Sequence, residues 1–501
     1  MDDMARVATQ PFLPRASRDA AIANLGELTR IHRVLDRLRE GGNITLAAVG
    51  GSITLGSGYK HRPGGGIARR FTPPPGHGLK NMGWSRILFD RLAARWPPTA
   101  GSAHRYANGA IGAVQPPYFA MCLHLCLPPS ADVLLLEFSC NSGNSEARRG
   151  MELLVRRALS WPGSPAVVLV SWSDGWYGTQ RAYNASGRGT FQPTYNSDWN
   201  IGAGETARNY YQRLAEYYRL PHISARGALW RSDRDNTPGL RFEDFGADWN
   251  HPNAYGHTLL AEMVEHYLDV AQRLREQPGG AAEAGPRGGR AAREVEATDE
   301  GGLPVPIDAR YALVDPTTEH VCLSEASLEA AARPVPPAGG RSHGATARGG
   351  FQWVTHDPDD PQARRKPGYL SASPGDVLRL RLPRVYDVVF LGALVSYGEH
   401  MGYLRATCVG GGCACAPLLV HGRHRDRTSV VVNVPLPFTR STAGAACTLQ
   451  LEHVRAEGRP PGAPSKVKLL SVVVAPPGGD VRSGFIWDET NNAELSKGVV
   501  A

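Results

Sequence analysis

The sequence predicts an α/β protein with a doubly wound parallel sheet, followed by a C-terminal β-sandwich. Three observations predict it. Val133 to Phe138 and Ala166 to Trp172 are continuous apolar runs of strand length, as parallel strands covered on both faces require, and helical patterns alternate with them. Asn43 to Gly58, NITLAAVGGSITLGSG, is an apolar strand that breaks through a glycine pair into a serine. From about residue 351 the pattern changes to short alternating strands separated by Gly/Pro turns.

In chain order, residues 1–40 form an N-terminal segment. Within it Asp19 to Glu40 carries Ile22, Leu25, Leu28, Ile31, Leu35 and Leu38 at helical spacing, so one leading helix is expected, stopped by Gly41-Gly42. Residues 41–275 form the α/β domain. After the strand at Asn43 come a Gly/Pro-rich loop over Lys60 to Gly83, a helix over Trp84 to Trp96, and a strand over His104 to Gly112 that ends in a glycine turn. Helices over Met151 to Leu159, Glu205 to Tyr218 and Ala254 to Arg273 alternate with the two apolar runs and with a short strand at Leu220 to Ser224. Residues 276–350, rich in Gly, Pro and Ala, read as a linker region. Residues 351–478 form the sandwich, with strands at Val377 to Leu382, Val388 to Leu394, Thr428 to Val434, Cys447 to His453 and Val467 to Val474; 479–501 is a tail.

A chain of 501 residues exceeds one ordinary core, which agrees with two domains. The formal net charge of +8 is spread over many arginines, with no Lys/Arg block and no interleaved aromatics, and this argues against a nucleic-acid module. No apolar run approaches the ~20 residues that span a bilayer. The N-terminus, MDDMARVATQPFLPRAS, has no apolar core of the signal-peptide kind. Eight cysteines and sequons at Asn43 and Asn184 point instead toward a secretory or endomembrane route, so the compartment stays open. Asn43 falls at a strand expected to be buried. Cys408, Cys413 and Cys415 form the tight cysteine cluster. Disulfides, a metal knuckle and plain thiols are all compatible with it, although the Cys-x-x-Cys pairs of zinc sites are missing.

Two stretches carry chemistry. At Gly50-Gly51-Ser52-Ile53-Thr54 the glycines permit close backbone approach while the hydroxyl lands at the carboxyl end of a strand, where open α/β sheets bind ligands. At Asp248-Trp249-Asn250-His251-Pro252 a carboxylate and an imidazole three residues apart face the same side, so Asp248 can orient His251.

Together, in this order and spacing, the two stretches resemble the SGNH (GDSL-type) esterase and lipase family, over roughly residues 40–275. That resemblance implies a three-layer α/β/α, flavodoxin-like fold. It implies Ser52 as nucleophile, His251 as base and Asp248 as its orienting acid. It also implies an oxyanion hole of the Ser52 N–H, a glycine N–H at Gly109 or Gly112, and the Asn141 side chain from LLLEFSCNSG. Gly51 stands where many relatives carry Asp, and Ser142 where many carry Asp after the Asn block. Some relatives place the second-block glycine further on, where this chain has Gln115. Such a triad needs no metal or organic cofactor.

The expected activity is hydrolysis of carboxylic esters, most simply acetyl or other short acyl esters on carbohydrate or a similar polar substrate. Trp172, Trp176, Tyr177 and Trp199 are expected to wall the pocket with faces that suit sugars. An O-acyltransferase would use the same triad, and a catalytically inactive carbohydrate-binding protein is the reading outside enzymes. Ser396 to Gly402, SYGEHMG, with the cysteine cluster after it, resembles an accessory domain attached to some SGNH proteins.

Overall fold

The structure, a computed structural model, describes residues 11–60, 82–141, 145–172, 182–183, 189–190, 207–248, 250–277, 302–308, 316–317, 320–335, 350–355, 367–382, 388–409, 412–423, 429–437, 439–440 and 447–474. The chain divides into two compact units: Met1–Phe119 with Leu123–Ile307, and Ala120–Cys122 with Asp308–Ala501.

In the first unit the elements are α1 (Arg15–Ala21), β1 (Ile22–Asn24), α2 (Thr29–Arg39), β2 (Thr45–Gly50), α3 (Ser52–Leu55), α4 (Trp84–Arg95), β3 (Arg105–Asn108), α5 (Pro116–Cys126), β4 (Val133–Glu137), α6 (Ser145–Leu159), β5 (Ala166–Ser171), a two-stranded ribbon β6 (Ala182–Tyr183) and β7 (Gly189–Thr190), α7 (Ala207–Tyr217), β8 (His222–Ser224), α8 (Ala225–Arg234), α9 (Phe242–Phe245) and α10 (Ala254–Glu276). The sheet order is β1-β8-β5-β4-β2-β3. Every pair from β8 to β3 is parallel, and β1 adds an antiparallel edge. Counting the parallel strands along the chain, the order is 2-1-3-4-5, as in flavodoxin-like open sheets. Leu46, Ala48, Val133, Leu135 and Val168 join one core cluster with residues of α2, α4 and α10. Their alternates Ala47, Val49, Leu134, Leu136 and Val167 are equally buried, so both faces are covered. The crossover from β3 to β4 passes over β2, and this makes the carboxyl ends of β2 and β4 the switch point where such sheets bind ligands.

The leading helix is not continuous. It breaks into α1, β1 and α2, because Gly26 (φ +70°) lies against the Leu220–Pro221 backbone, 2.3 Å from Pro221 N to the position a Cβ would take. Asn43 is exposed rather than buried, two residues before β2. Asn184 and Ser142, most of the Lys60 to Gly83 loop, and most of the linker lie outside the described residues.

The second unit is built of antiparallel strands. They are β9 (Val321–Ser324), β10 (Ala332–Val335), β11 (Gln352–Val354), β12 (Gly368–Ser371), β13 (Val377–Leu382), β14 (Val388–Ser396), β15 (Tyr403–Val409), β16 (Cys413–Ala414), β17 (Leu418–His421), β18 (Ser429–Pro437), β19 (Thr439–Arg440), β20 (Cys447–Val454) and β21 (Val467–Val474), with one helix among the described residues, α11 (Glu325–Ala331). One sheet runs β10-β13-β20-β15-β17, and the other runs β11-β12-β21-β14-β18 with β9 beside β21. Alternate residues such as Leu378, Leu380, Leu449 and Leu451 of the first meet Val389, Leu391, Val472 and Val474 of the second in one core. Residues 320–335, expected inside the linker, instead supply β9, α11 and β10 and pair with strands of both sheets. Three disulfides form among the described residues: Cys122–Cys322, Cys408–Cys415 and Cys413–Cys447. No described helix is long and apolar enough to cross a membrane.

Candidate active site

Ser52 stands at the switch point. β2 ends at Gly50, Gly51 turns the chain, and Ser52 opens the single turn of α3. The Gly51 N–H donates to the Glu137 carbonyl at the end of β4 (3.2 Å), which ties the turn to the neighbouring strand. A Cβ at residue 51 would lie 1.9 Å from Asn141 Oδ1, so glycine here is what lets the Asn141 side chain lie beside the serine. Gly56 (φ +98°) closes α3, and Gly58 (φ +83°) sends the chain back against the second stretch. A Cβ at Gly58 would fall 2.1 Å from the Pro252 carbonyl oxygen and 3.1 Å from His251 Cβ.

That second stretch is a tight loop between α9 and α10. Ala247 N–H donates to the His251 carbonyl (2.8 Å), and Gly246 and Pro252 form an antiparallel bridge across its base. Asp248 Oδ1 accepts from the N–H groups of Asn250 and His251 (both 2.8 Å). His251 Nδ1 lies 2.8 Å from Asp248 Oδ2 and 3.0 Å from Oδ1. A carboxylate only accepts, so Nδ1 carries the imidazole proton and Nε2 presents its lone pair. Ser52 Oγ lies 2.8 Å from that Nε2 and donates to it. Burial raises the Asp248 carboxyl pKa. The His251 hydrogen bond and charge, together with the two backbone N–H groups, outweigh that effect and hold it below the usual range.

The structure therefore brings Ser52, His251 and Asp248 into one hydrogen-bonded row, although Ser52 and His251 are 199 residues apart. It treats the expected oxyanion residues unequally. Asn141, in a 3₁₀ turn after β4, lies against Gly51 with its Oδ1 nearest the turn; that oxygen only accepts, so its Nδ2 is the atom that could donate to an oxyanion. Ile111 N–H donates to the Gly50 carbonyl (3.1 Å), which brings the turn holding Gly112 beside the end of β2. Gly109 is a different case: its N–H donates to the Ala48 carbonyl (2.9 Å) and continues the sheet, so it has no hydrogen to offer an oxyanion.

Trp172 does not wall a pocket, contrary to the expectation from sequence. It is only 1 % exposed and packs edge-on against Phe245, so it belongs to the core and not to a sugar-facing rim. Trp176, Tyr177 and Trp199 lie outside the described residues. Among the described residues one group of metal-ligating side chains converges, Cys408, Cys413 and Cys447, and its sulfurs are engaged in disulfides.

Sequence reasoning missed Asn253 and His257. Both lie within ADWNHPNAYGH, and their offsets of two and six residues from His251 place them at the cap and first turn of α10. The cap spacing was the available signal.

Fold and geometry together define a protein with a hydrogen-bonded Ser–His–Asp row at the switch point of a parallel α/β sheet, carried on a chain with a second, antiparallel β unit. No family model matches the chain, and no curated protein matches it in sequence. Among solved structures it is similar to a two-domain esterase active on acetylated mannans, crystallised with mannopentaose. The TM-score is 0.57 at 17 % identity, over 92 % of this chain and 98 % of that one. A second crystal structure of such an esterase gives a TM-score of 0.56 with the same identity and coverage. At this identity the likeness is one of fold.

Proposed function

We propose that the protein is a serine esterase that removes short acyl groups, acetyl above all, from carbohydrate. The row Ser52 Oγ–His251 Nε2 (2.8 Å) and His251 Nδ1–Asp248 Oδ2 (2.8 Å) carries this reading. Ser52 Oγ attacks the ester carbonyl while its proton passes to His251 Nε2. Asp248, ionised across the neutral range, orients the imidazole and stabilises the imidazolium. The carbonyl oxygen becomes an oxyanion, and the Ser52 N–H, the Asn141 Nδ2 amide and an N–H of the turn holding Gly112 are the candidate donors for it. One such donor is worth about 3 kcal/mol of barrier. The tetrahedral adduct collapses, His251 gives its proton to the departing sugar oxygen, and an acyl-serine remains. Water then attacks with His251 again as base, releasing the acid and the serine.

The acetylated polysaccharide preference draws on the neighbouring fold, whose own substrate is acetylated mannan. The test is p-nitrophenyl acetate hydrolysis, with acetate release from an acetylated mannan beside it, by wild type and Ser52→Ala. Loss of both activities in the variant supports the reading. A variant that keeps the wild-type rate, or a wild type inert on both, would sink it. Acetyl groups appearing on an added sugar instead of as free acetate would identify a transferase.

A further inference from the structure

The first turn of α10 holds both halves of the Ser52–His251 pair. At its cap, Asn253 Oδ1 accepts from the N–H groups of Tyr255 (2.9 Å) and Gly256 (3.0 Å). Its Nδ2 donates to the carbonyls of Asp244 (2.9 Å) and Gly246 (3.2 Å), which closes the base of the loop carrying Asp248 and His251. One turn later His257, fully buried, reaches the nucleophile side. The Trp84 N–H donates to its Nδ1 (3.2 Å), so that nitrogen carries no proton. The proton is therefore on Nε2, which donates to the Ser57 carbonyl (2.8 Å). Ser57 N–H in turn donates to the Ser52 carbonyl (3.0 Å). From His257 to the nucleophile residue is thus a path of two hydrogen bonds. The next residue, Gly58, presses on Pro252 and His251.

We propose that His257, as a neutral imidazole, is a positioning residue that sets the register of the Ser52 turn against the His251 loop. The inference rests on the esterase reading above. No covalent restraint joins the two stretches, so their 2.8 Å contact depends on what packs them together. A displacement of about 1 Å at such a contact costs on the order of 100-fold in rate. A fully buried polar ring is unfavourable unless its nitrogens are partnered, and an apolar side chain would fill the space without that demand. Here both ring nitrogens hold backbone groups next to the nucleophile turn: the Ser57 carbonyl within it and the first N–H of α4, which has no partner inside its own helix. Asn253 fixes the other half from the same turn. A single rigid helix end thereby holds nucleophile and base together.

The test compares wild type with His257→Leu, which removes both bonds, and His257→Gln, whose amide can donate and accept in their place. Turnover of p-nitrophenyl acetate is followed together with covalent labelling of Ser52 by a fluorophosphonate. For the Leu variant we expect kcat to fall about 30- to 100-fold with KM within about threefold. Its labelling rate should fall by the same factor while the final labelled fraction matches wild type. The Gln variant should recover to within about fivefold of wild type. A merely structural role would lower the labelled fraction and the melting temperature but leave the rate per labelled molecule unchanged, and that result overturns the proposal. Should the Leu variant fail to fold, His257→Asn, too short to span both partners, replaces it, and labelling at the Gln rate would overturn the proposal equally. Failure of the esterase reading looks different: wild type itself would neither turn over ester nor label at Ser52.

Discussion

Each unit contains a serine and a histidine 2.8 Å apart, and the two pairs have opposite polarity. In the first, Ser52 Oγ faces His251 Nε2, the far nitrogen is bound to the Asp248 carboxylate, and the His251 side chain keeps 18 % of its surface exposed. In the second, Ser371 Oγ faces His453 Nδ1, and the carboxylate of Asp376 takes the serine hydroxyl instead (2.7 Å). His453 Nδ1 therefore donates to Ser371, and its Nε2 accepts from Ser465 Oγ (2.7 Å). His453 is completely buried, and a Cβ at Gly402 would sit only 2.5 Å from its Nε2. Burial pushes its pKa down to about 4, with Asp376 opposing only in part. A third pair, Ser171 with His222, is likewise buried, and there Gln212 occupies the far nitrogen (3.0 Å). A serine near a histidine is thus no evidence of chemistry by itself. The Ser52 pair differs from the Ser371 pair in which partner holds the proton, and from both others in the carboxylate on its second nitrogen and in the exposure that would let a substrate arrive.

The largest effects should separate the pairs cleanly. Ser52→Ala is expected to lower kcat at least about 10⁴-fold without loss of stability. Ser371→Ala should leave kcat within about twofold and instead destabilise the protein by about 1–3 kcal/mol, because it leaves Asp376 and His453 short of a buried partner. Steady-state kinetics and denaturant titration on the two variants check both halves, and loss of ester hydrolysis in Ser371→Ala would break the comparison. The carboxylates come next. Asp248→Asn should lower kcat on the order of 10³-fold by presenting the wrong hydrogen-bonding face to His251 Nδ1. Asp376→Asn should leave kcat unchanged. Equal effects of the two substitutions would show that Asp248 only shapes its loop.

Much of this was legible in the sequence, for reasons specific to particular residues. Continuous apolar runs such as Val133 to Phe138 identified strands buried on both faces, and the parallel sheet followed from their alternation with helices. The antiparallel β-rich region was visible in alternations such as Val377 to Leu382. Ser52, Asp248 and His251 were candidates through the resemblance carried by the order and spacing of their two stretches, and the structure brings the three side chains into one hydrogen-bonded row. The rest depended on contacts between distant segments. Gly26 breaks the leading helix because it meets Pro221, and no local periodicity records that. The pairing of Cys122 with Cys322 spans 200 residues. Gly109 looked equivalent to Gly112 until the register of β3 against β2 engaged its N–H. Trp172 read as a rim residue because a tryptophan after a strand has the same sequence signature whether it lines a pocket or fills a core.

The smallest expected effect concerns acid and the sealed pair. His453 has a folded pKa of about 4, against 6.5 for the ordinary imidazole. The unfolded chain therefore binds the proton first as pH falls, and folded stability is lost on acidification, not gained. The contribution is complete above about pH 6.5 and gone below about pH 4, a total on the order of 3 kcal/mol. By pH 5.5 roughly 1 kcal/mol of it should be missing. Hydrogen exchange of the β20 amides, Cys447–Val454, reports this locally in the full chain once corrected for the intrinsic pH dependence of exchange. Protection should fall between pH 7.5 and 5.5 in wild type and stay level in His453→Gln, which keeps a donor and an acceptor but does not titrate. Level protection in wild type would mean that water reaches the imidazole, and the contrast between a sealed histidine and an accessible one would lose its physical basis.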